Sequence, residues 1–299
     1  MHQPSRELYR IGNLASTFSI AAFDPKTKNL GVAVQSRYFS VGTAVPWAQK
    51  KVGAVATQSF VNISYGPKGL KLLKKGLTVN EVIKQLTSKD KGRDYRQLGI
   101  IDAEGNAAAF TGTKCLSWAG SKIGKNYAAQ GNILASPKVV ANMGKYFEST
   151  KGDLADKLTA ALEGGEKAGG DMRGRQSAAL LVVGTRKSKT GYGDRLIDLR
   201  VEDHPDPIAE LKRLLRLHRV YCLIDESEEI YSQGNHKKAI AMIKKAIELN
   251  PNSDDAYIDL GMTYKKLGKT QQAKIAFKKA VALNPNMKKV IKQLTTRRE

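Results

Sequence analysis

Thr17-Phe-Ser-Ile-Ala-Ala-Phe-Asp-Pro-Lys-Thr-Lys-Asn-Leu-Gly-Val-Ala-Val-Gln-Ser-Arg37 is the stretch whose reading decides the fold. Two runs rich in aromatic, β-branched and small apolar residues, Thr17 to Phe23 and Leu30 to Val34, flank Asp24-Pro25-Lys26-Thr27, whose Asp and Pro favour a turn. The pattern predicts a β-hairpin opened by a hydroxyl residue. As the first residue of a processed chain, Thr17 would carry nucleophile and base together, its hydroxyl beside its own α-amine. Within an intact chain it is a β-branched strand residue and nothing more.

Further along, Val41 to Trp47 and Val52 to Phe60 read as extended runs, and Tyr65-Gly66-Pro67 breaks the pattern. From Lys68 the period changes to that of an amphipathic helix, with Leu70, Leu73 and Leu77 against Lys71, Lys74 and Lys75. Thr78 and Glu81 then form a capping-box signature ahead of Val82, Ile83 and Leu86. Strand patterns return at Gln97 to Ile101, Ala107 to Thr111, Cys115 to Ala119 and Tyr127 to Gln130. A second helical pair follows, Pro137 to Phe147 and Leu154 to Ala168, then strands at Ser177 to Val183 and Arg195 to Val201. Asp206-Pro207 opens a helix over Ile208 to Val220. Strands, two helices, strands, two helices, strands and a helix favour an α+β domain of two stacked, largely antiparallel sheets with helix pairs outside.

The chain has 299 residues, enough for one large domain and a small one. Gly234, Ala239, Ala246, Asn250 and Pro251 recur 34 residues later as Gly268, Ala273, Ala280, Asn284 and Pro285, and Tyr257-x-x-Leu260-Gly261-x-x-Tyr264 fits the first helix of a tetratricopeptide repeat. The domain reading is therefore a leader of unknown role over 1–16, a sandwich over 17–220, and an all-α segment over 221–299. In that segment the repeats span about 220–253 and 254–287 and a terminal helix follows. A protein partner on the repeats and a packing appendage that promotes homo-oligomers weigh equally.

The net charge of +22 attracts polyanions without selectivity, but it is spread along the chain with no nucleic-acid motif, so no specific nucleic acid is expected. No apolar run approaches the ~20 residues that span a bilayer. Residues 1–16 lack the apolar centre of a secretory signal, although Leu14-Ala15-Ser16 ends in small residues. A cytoplasmic protein is the expectation. Cys115 and Cys222 stand far apart and read as small apolar fillers, and no histidine pair at i, i+4 suggests a metal, so neither metal nor cofactor is expected. Gly120-Ser121-Lys122-Ile123-Gly124-Lys125-Asn126 is one residue short of a phosphate loop and lacks its final hydroxyl, which argues against a nucleotide site.

Seven runs carry a family resemblance: Gly31 to Arg37, Gly53 to Gln58, Ser64 to Pro67, Arg96 to Gly99, Gln130 to Asn132, Gly169 to Ser177 and Asp203 to Pro207. In this order they resemble an uncharacterised microbial family assigned to the N-terminal-nucleophile (Ntn) hydrolase superfamily. That resemblance implies a four-layer αββα sandwich and cleavage of a small amide or peptide-like bond by an N-terminal residue, which falls on Thr17. A weaker likeness to proteasome-type enzymes puts Gln35 where those enzymes have an acid, Lys51 near their strand lysine, Asp171 near a second acid, and Gln130 to Asn132 beside the nucleophile. Lys50 and Gln49 are alternatives to Lys51. Gln35 replaces a carboxylate, so its contribution would be hydrogen bonding. Arg173 and Arg175 would suit a substrate carboxylate, and the oxyanion donors would be backbone N-H groups near Gln58 and Ser59. Against these roles, Lys51 also reads as a solvated strand-end cation and Asp171 as a turn acid neutralised by its arginines. The alternative function is a catalytically silent module of the same fold that binds a ligand or a protein.

Overall fold

A computed structural model describes residues 14–15, 17–184 and 194–296. Of the leader read at 1–16, Leu14–Ala15 alone falls among them. The strands are β1 (Leu14–Ala15), β2 (Thr17–Phe23), β3 (Leu30–Ser36), β4 (Pro46–Gln49), β5 (Gly53–Phe60), β6 (Arg96–Asp102), β7 (Ala107–Thr111), β8 (Gly120–Gly124), β9 (Tyr127–Asn132), β10 (Ser177–Val183) and β11 (Arg195–Val201). The helices are α1 (Tyr65–Lys74), α2 (Val79–Ser88), α3 (Lys138–Ser149), α4 (Leu154–Lys167), α5 (Pro207–Ser232), α6 (His236–Leu249), α7 (Asp254–Lys266), α8 (Thr270–Leu283) and α9 (Met287–Thr296). The chain divides into two compact units, Met1–Lys212 and Arg213–Glu299.

In the first unit every strand pairing is antiparallel. One sheet runs β1-β5-β6-β7 with β4 also on β5, and the other runs β11-β10-β3-β2-β9-β8. The predicted hairpin is therefore β2 and β3 at the centre of the six-stranded sheet. Both faces of β2 are buried, because period-2 alternation sends Ala21 and Phe23 toward Ala54, Ala56 and Ile101 of the other sheet while Phe18 meets Gly165 of α4. Val55, Leu98 and Ile100 turn their side chains the other way, against Leu70 and Leu73 of α1 and Val82 and Leu86 of α2. On the far face of the larger sheet, Tyr127 packs against Phe147 of α3, and Leu158 of α4 lies over Gly31, where a Cβ would strike it.

Local chemistry explains most boundaries. Thr78 and Glu81 make both bonds of the capping box, and Asp153 with Asp156 repeats the device at α4. Three expectations are corrected. The extended run over Val41 to Trp47 is a short helical turn at Val41–Thr43 and then β4, which starts at Pro46. Helix α1 begins at Tyr65 rather than Lys68, because Pro67 falls in a first turn that needs no N-H from it. The strand expected at Cys115 to Ala119 lies instead at Gly120–Gly124, so the glycines that resembled a phosphate loop are edge-strand residues paired with β9.

Helix α5 continues to Ser232, beyond the expected end at Val220. In the second unit α6, α7 and α8 pack through small residues at the repeat positions, Ala239, Ala246, Ala273 and Ala280, all buried. Gly261 sits against the Phe277 ring, where a Cβ would collide. Cys222 is exposed on α5 with Sγ 3.5 Å from His218 Nε2, so it is not the apolar filler expected from sequence. No described helix is long and apolar enough to cross a membrane.

Candidate functional site

Thr17 opens the central strand β2, between Ser36 of β3 and Asn132 of β9. Residues opposite one another in a sheet share a face, so Thr17, Ser36 and Asn132 all point toward the other sheet. The Thr17 hydroxyl lies 3.2 Å from the Ser36 hydroxyl, to which it donates, and Thr17 is fully buried.

Around it the two sheets meet through uncharged polar groups instead of the apolar contacts found deeper in. Gln58 of β5 donates to the Thr17 carbonyl (3.2 Å) and to Gln97 Oε1 (2.8 Å), and accepts from the Ser19 hydroxyl (2.5 Å). Gln130 Nε2 donates to Ser19 (2.6 Å), and Asn132 Nδ2 to Gln97 Oε1 (3.1 Å). Gln97 Nε2 in turn reaches the Gly131 carbonyl (2.8 Å) and the Thr111 hydroxyl (2.9 Å). Thr17, Ser19, Ser36, Gln58, Gln97, Gln130 and Asn132 have no solvent exposure. Buried carboxamides are costly unless satisfied, so this network holds the β2, β5, β6 and β9 ends in one arrangement.

Two backbone outliers flank the network. Ser59 has φ of 70° at the end of β5, and Ile133 has φ of 50° just after Asn132. A β-branched residue in the left-handed region is strained, and such strain clusters where a fold over-determines a site. Ser59 also pairs with Ala15, and Phe60 with Leu14. Leu14–Ala15 thus belongs to one sheet and Thr17 to the other.

Asp171 is brought to the same end. Its carboxylate accepts from the Arg37 backbone N-H (3.1 Å) and from Arg173, through both the backbone N-H (2.9 Å) and the guanidinium (3.2 Å). Its side chain is wholly buried, and Met172 and Leu134 tie the loop to β9's end. Arg175 points elsewhere, toward Glu166 (2.5 Å) and Asp206 (3.8 Å).

Besides Arg175, two sequence candidates are not brought to Thr17. Lys51 is exposed, in the turn between β4 and β5 with φ of 59°. Gly53, the first residue of β5, is already roughly 17 Å along the strand from Gln58. Lys50 and Gln49 lie at that same remote end. Gln35 pairs with Phe18, so its side chain lies on the opposite face of the sheet from Thr17, where both amide atoms are buried without a partner. Sequence reasoning missed Ser36, Ser19 and Gln97. Ser36 stands beside Gln35 in the run Gly31 to Arg37, and counting register from Thr17 would have selected it.

Residues 17–211 match the model of a family of unknown function, DUF1028, and residues 231–296 match a tetratricopeptide-repeat model. The crystal structure of protein SPO2555 from Silicibacter pomeroyi, of the same family, is similar to this chain with 33% identity and a TM-score of 0.63. The match covers 68% of this chain and 85% of that one. No curated protein matches. With nearly all of the first unit matched, the chain belongs to the DUF1028 family, here joined to a C-terminal tetratricopeptide-repeat segment.

Proposed function

We propose that the first unit is an Ntn-type amidohydrolase whose nucleophile is Thr17, exposed by cleavage of the Ser16-Thr17 bond. The observation that carries this reading is the Thr17 hydroxyl at the start of a central strand, aimed between two sheets into a buried, preorganised polar network. Helix pair, sheet, sheet and helix pair is also the layer order of the αββα sandwich that the resemblance implies.

In this mechanism the freed α-amine, with an ordinary pKa of about 7.7 to 8.0, takes the hydroxyl proton as Oγ1 attacks the amide carbon. Ser36 orients the hydroxyl. Backbone N-H groups around Ser59 stabilise the oxyanion, and the amine then protonates the departing amine before water releases the acyl group. Asp171 holds the Arg37 backbone and the Arg173 guanidinium at this end, and a substrate carboxylate would meet Arg173 there in its pairing with Asp171. Leu14–Ala15 occupies the Ser59–Phe60 edge, so removal of the leader would uncover it.

A second reading, a catalytically silent module that binds a ligand or a protein partner through the repeats, is favoured by the remoteness of Lys51 and by Gln35 facing away from Thr17. Intact-mass measurement of the purified protein separates the two. The amidohydrolase reading expects a mature chain starting at Thr17 and a Thr17→Ala variant that keeps residues 1–16. A wild-type chain that retains them and turns over no amide in a substrate library would sink it.

A further inference from the structure

Behind the smaller sheet, α1 and α2 border an open cavity of about 440 Å³ lined by Asn62, Tyr65, Lys68, Lys71, Lys89 and Lys91, among others. Its volume falls in the range of small-molecule sites. Its charge is one-sided, because the segment from Asn62 to Lys91 holds seven lysines and only two acids, Glu81 and Asp90.

Both acids are committed to structure. Glu81 closes the capping box of α2, on Thr78. Asp90 accepts from Arg96 Nε (3.0 Å), Asn62 Nδ2 (3.0 Å), the Tyr65 hydroxyl (2.8 Å) and the Gly92 backbone N-H (2.7 Å). Lys68, Lys71, Lys89 and Lys91 are all exposed, and none is within ion-pair distance of an acid among the described residues.

We infer that this cavity is a binding site for a small polyphosphorylated molecule. Lys68 and Lys71 stand three residues apart on one face of α1, and Lys89 and Lys91, just past the end of α2, line the same cavity. Two cation pairs lining one cavity match two phosphate groups, each an array of strong acceptors with about −1.5 to −2 charges. Lysine binds phosphate as a mobile point charge, and a concave wall of one sign concentrates such an anion. The Asp90 hub stabilises the anion-facing shape without neutralising it, since its own charge is spent on Arg96. The site is independent of Thr17 and of the amidohydrolase reading.

Calorimetric titration of the full chain with inorganic pyrophosphate and triphosphate, at physiological salt, tests this. A protein of +22 binds polyanions diffusely, so the control is a charge-matched pair on the surface of the repeat unit, Lys278→Gln with Lys279→Gln. The expected result is one bound triphosphate per chain, weakened about ten-fold or more by Lys68→Gln with Lys71→Gln, and likewise by Lys89→Gln with Lys91→Gln, but not by the control. All six lysines are exposed, so their neutralisation leaves the fold intact. Equal weakening by the control, no loss in either cavity variant, or multiple weak sites would overturn the inference. So would single-stranded RNA competing better than triphosphate at equal phosphate concentration.

Discussion

Replacing Gln97 by Met removes the hub of the polar network while keeping the side chain's length and volume. Gln97 accepts from Gln58 and Asn132, and its Nε2 faces the Thr111 hydroxyl and the Gly131 and Gly120 carbonyls. Nε2 has two hydrogens for these three acceptors, so about four bonds act at once. At about 1 kcal/mol net each, their loss costs about 4 kcal/mol. Burying the thioether chain returns about 1–2 kcal/mol, leaving a destabilisation of about 2–3 kcal/mol. Trp47 and Trp118, the two tryptophans of the chain, both belong to the first unit, so urea unfolding followed by their fluorescence reports that unit without interference from the repeats. A loss below about 1 kcal/mol at an unchanged denaturant slope would show that the carboxamides are not the clamp described above.

Four further outcomes are expected. Asp259 of α7 has its carboxyl raised to about 6 by burial first and then by Asp255, Glu228 and Asp225. A raised folded-state value means that the second unit gains stability as pH falls from above 6 toward 4. Asp259→Asn should remove that dependence and stabilise the unit at pH 7.5 by on the order of 1–2 kcal/mol, read by thermal melting of the helical signal. Asp90 behaves oppositely. Burial raises it, but hydrogen bonds from Arg96, Asn62, Tyr65 and the Gly92 N-H outweigh this and hold it at about 2. Its contribution is present above pH ~4 and lost as pH falls through ~2, so the stability gap between wild type and Asp90→Asn should close over that window. Gly99→Ala sets a methyl group against the Gln130 carboxamide, which can yield only by leaving Ser19. A cost of about 1–3 kcal/mol should appear in the same urea assay. Thr78→Ala, which strips the α2 cap, should cost about 1 kcal/mol.

The hairpin, the order of strands and helix pairs, and the repeat period were legible because each rests on local pattern. Thr17 to Phe23, Ser177 to Val183 and Arg195 to Val201 coincide with their strands residue for residue. Boundaries failed where a proline or glycine serves an element instead of ending it, as Pro67 does in α1 and Gly120 in β8. At the site, Thr17, Gln58, Ser59, Gln130, Asn132 and Asp171 gather at one end, while Lys51, Gln35 and Arg175 lie apart from it. The error at Gln35 was one of parity. A shift of one residue turns a strand side chain to the other face, and motif likeness carries no register. Lys51 failed on distance, since nearness to a strand in sequence does not say which end of it faces the site. Gln97 gave no signal of its own, because a single buried amide on an apolar strand is indistinguishable from a surface one until its neighbours are known.

The clamp around Thr17 is made of carboxamides and hydroxyls, and such groups neither gain nor lose a proton in the physiological range. Its shape is therefore insensitive to pH, unlike a carboxylate-lined interior that would swell or rearrange as it titrates. For an enzyme built on this frame, rate would follow pH through a single ascending limb, the deprotonation of the Thr17 amine, on an otherwise flat profile. The interior would act as a fixed template with one movable proton.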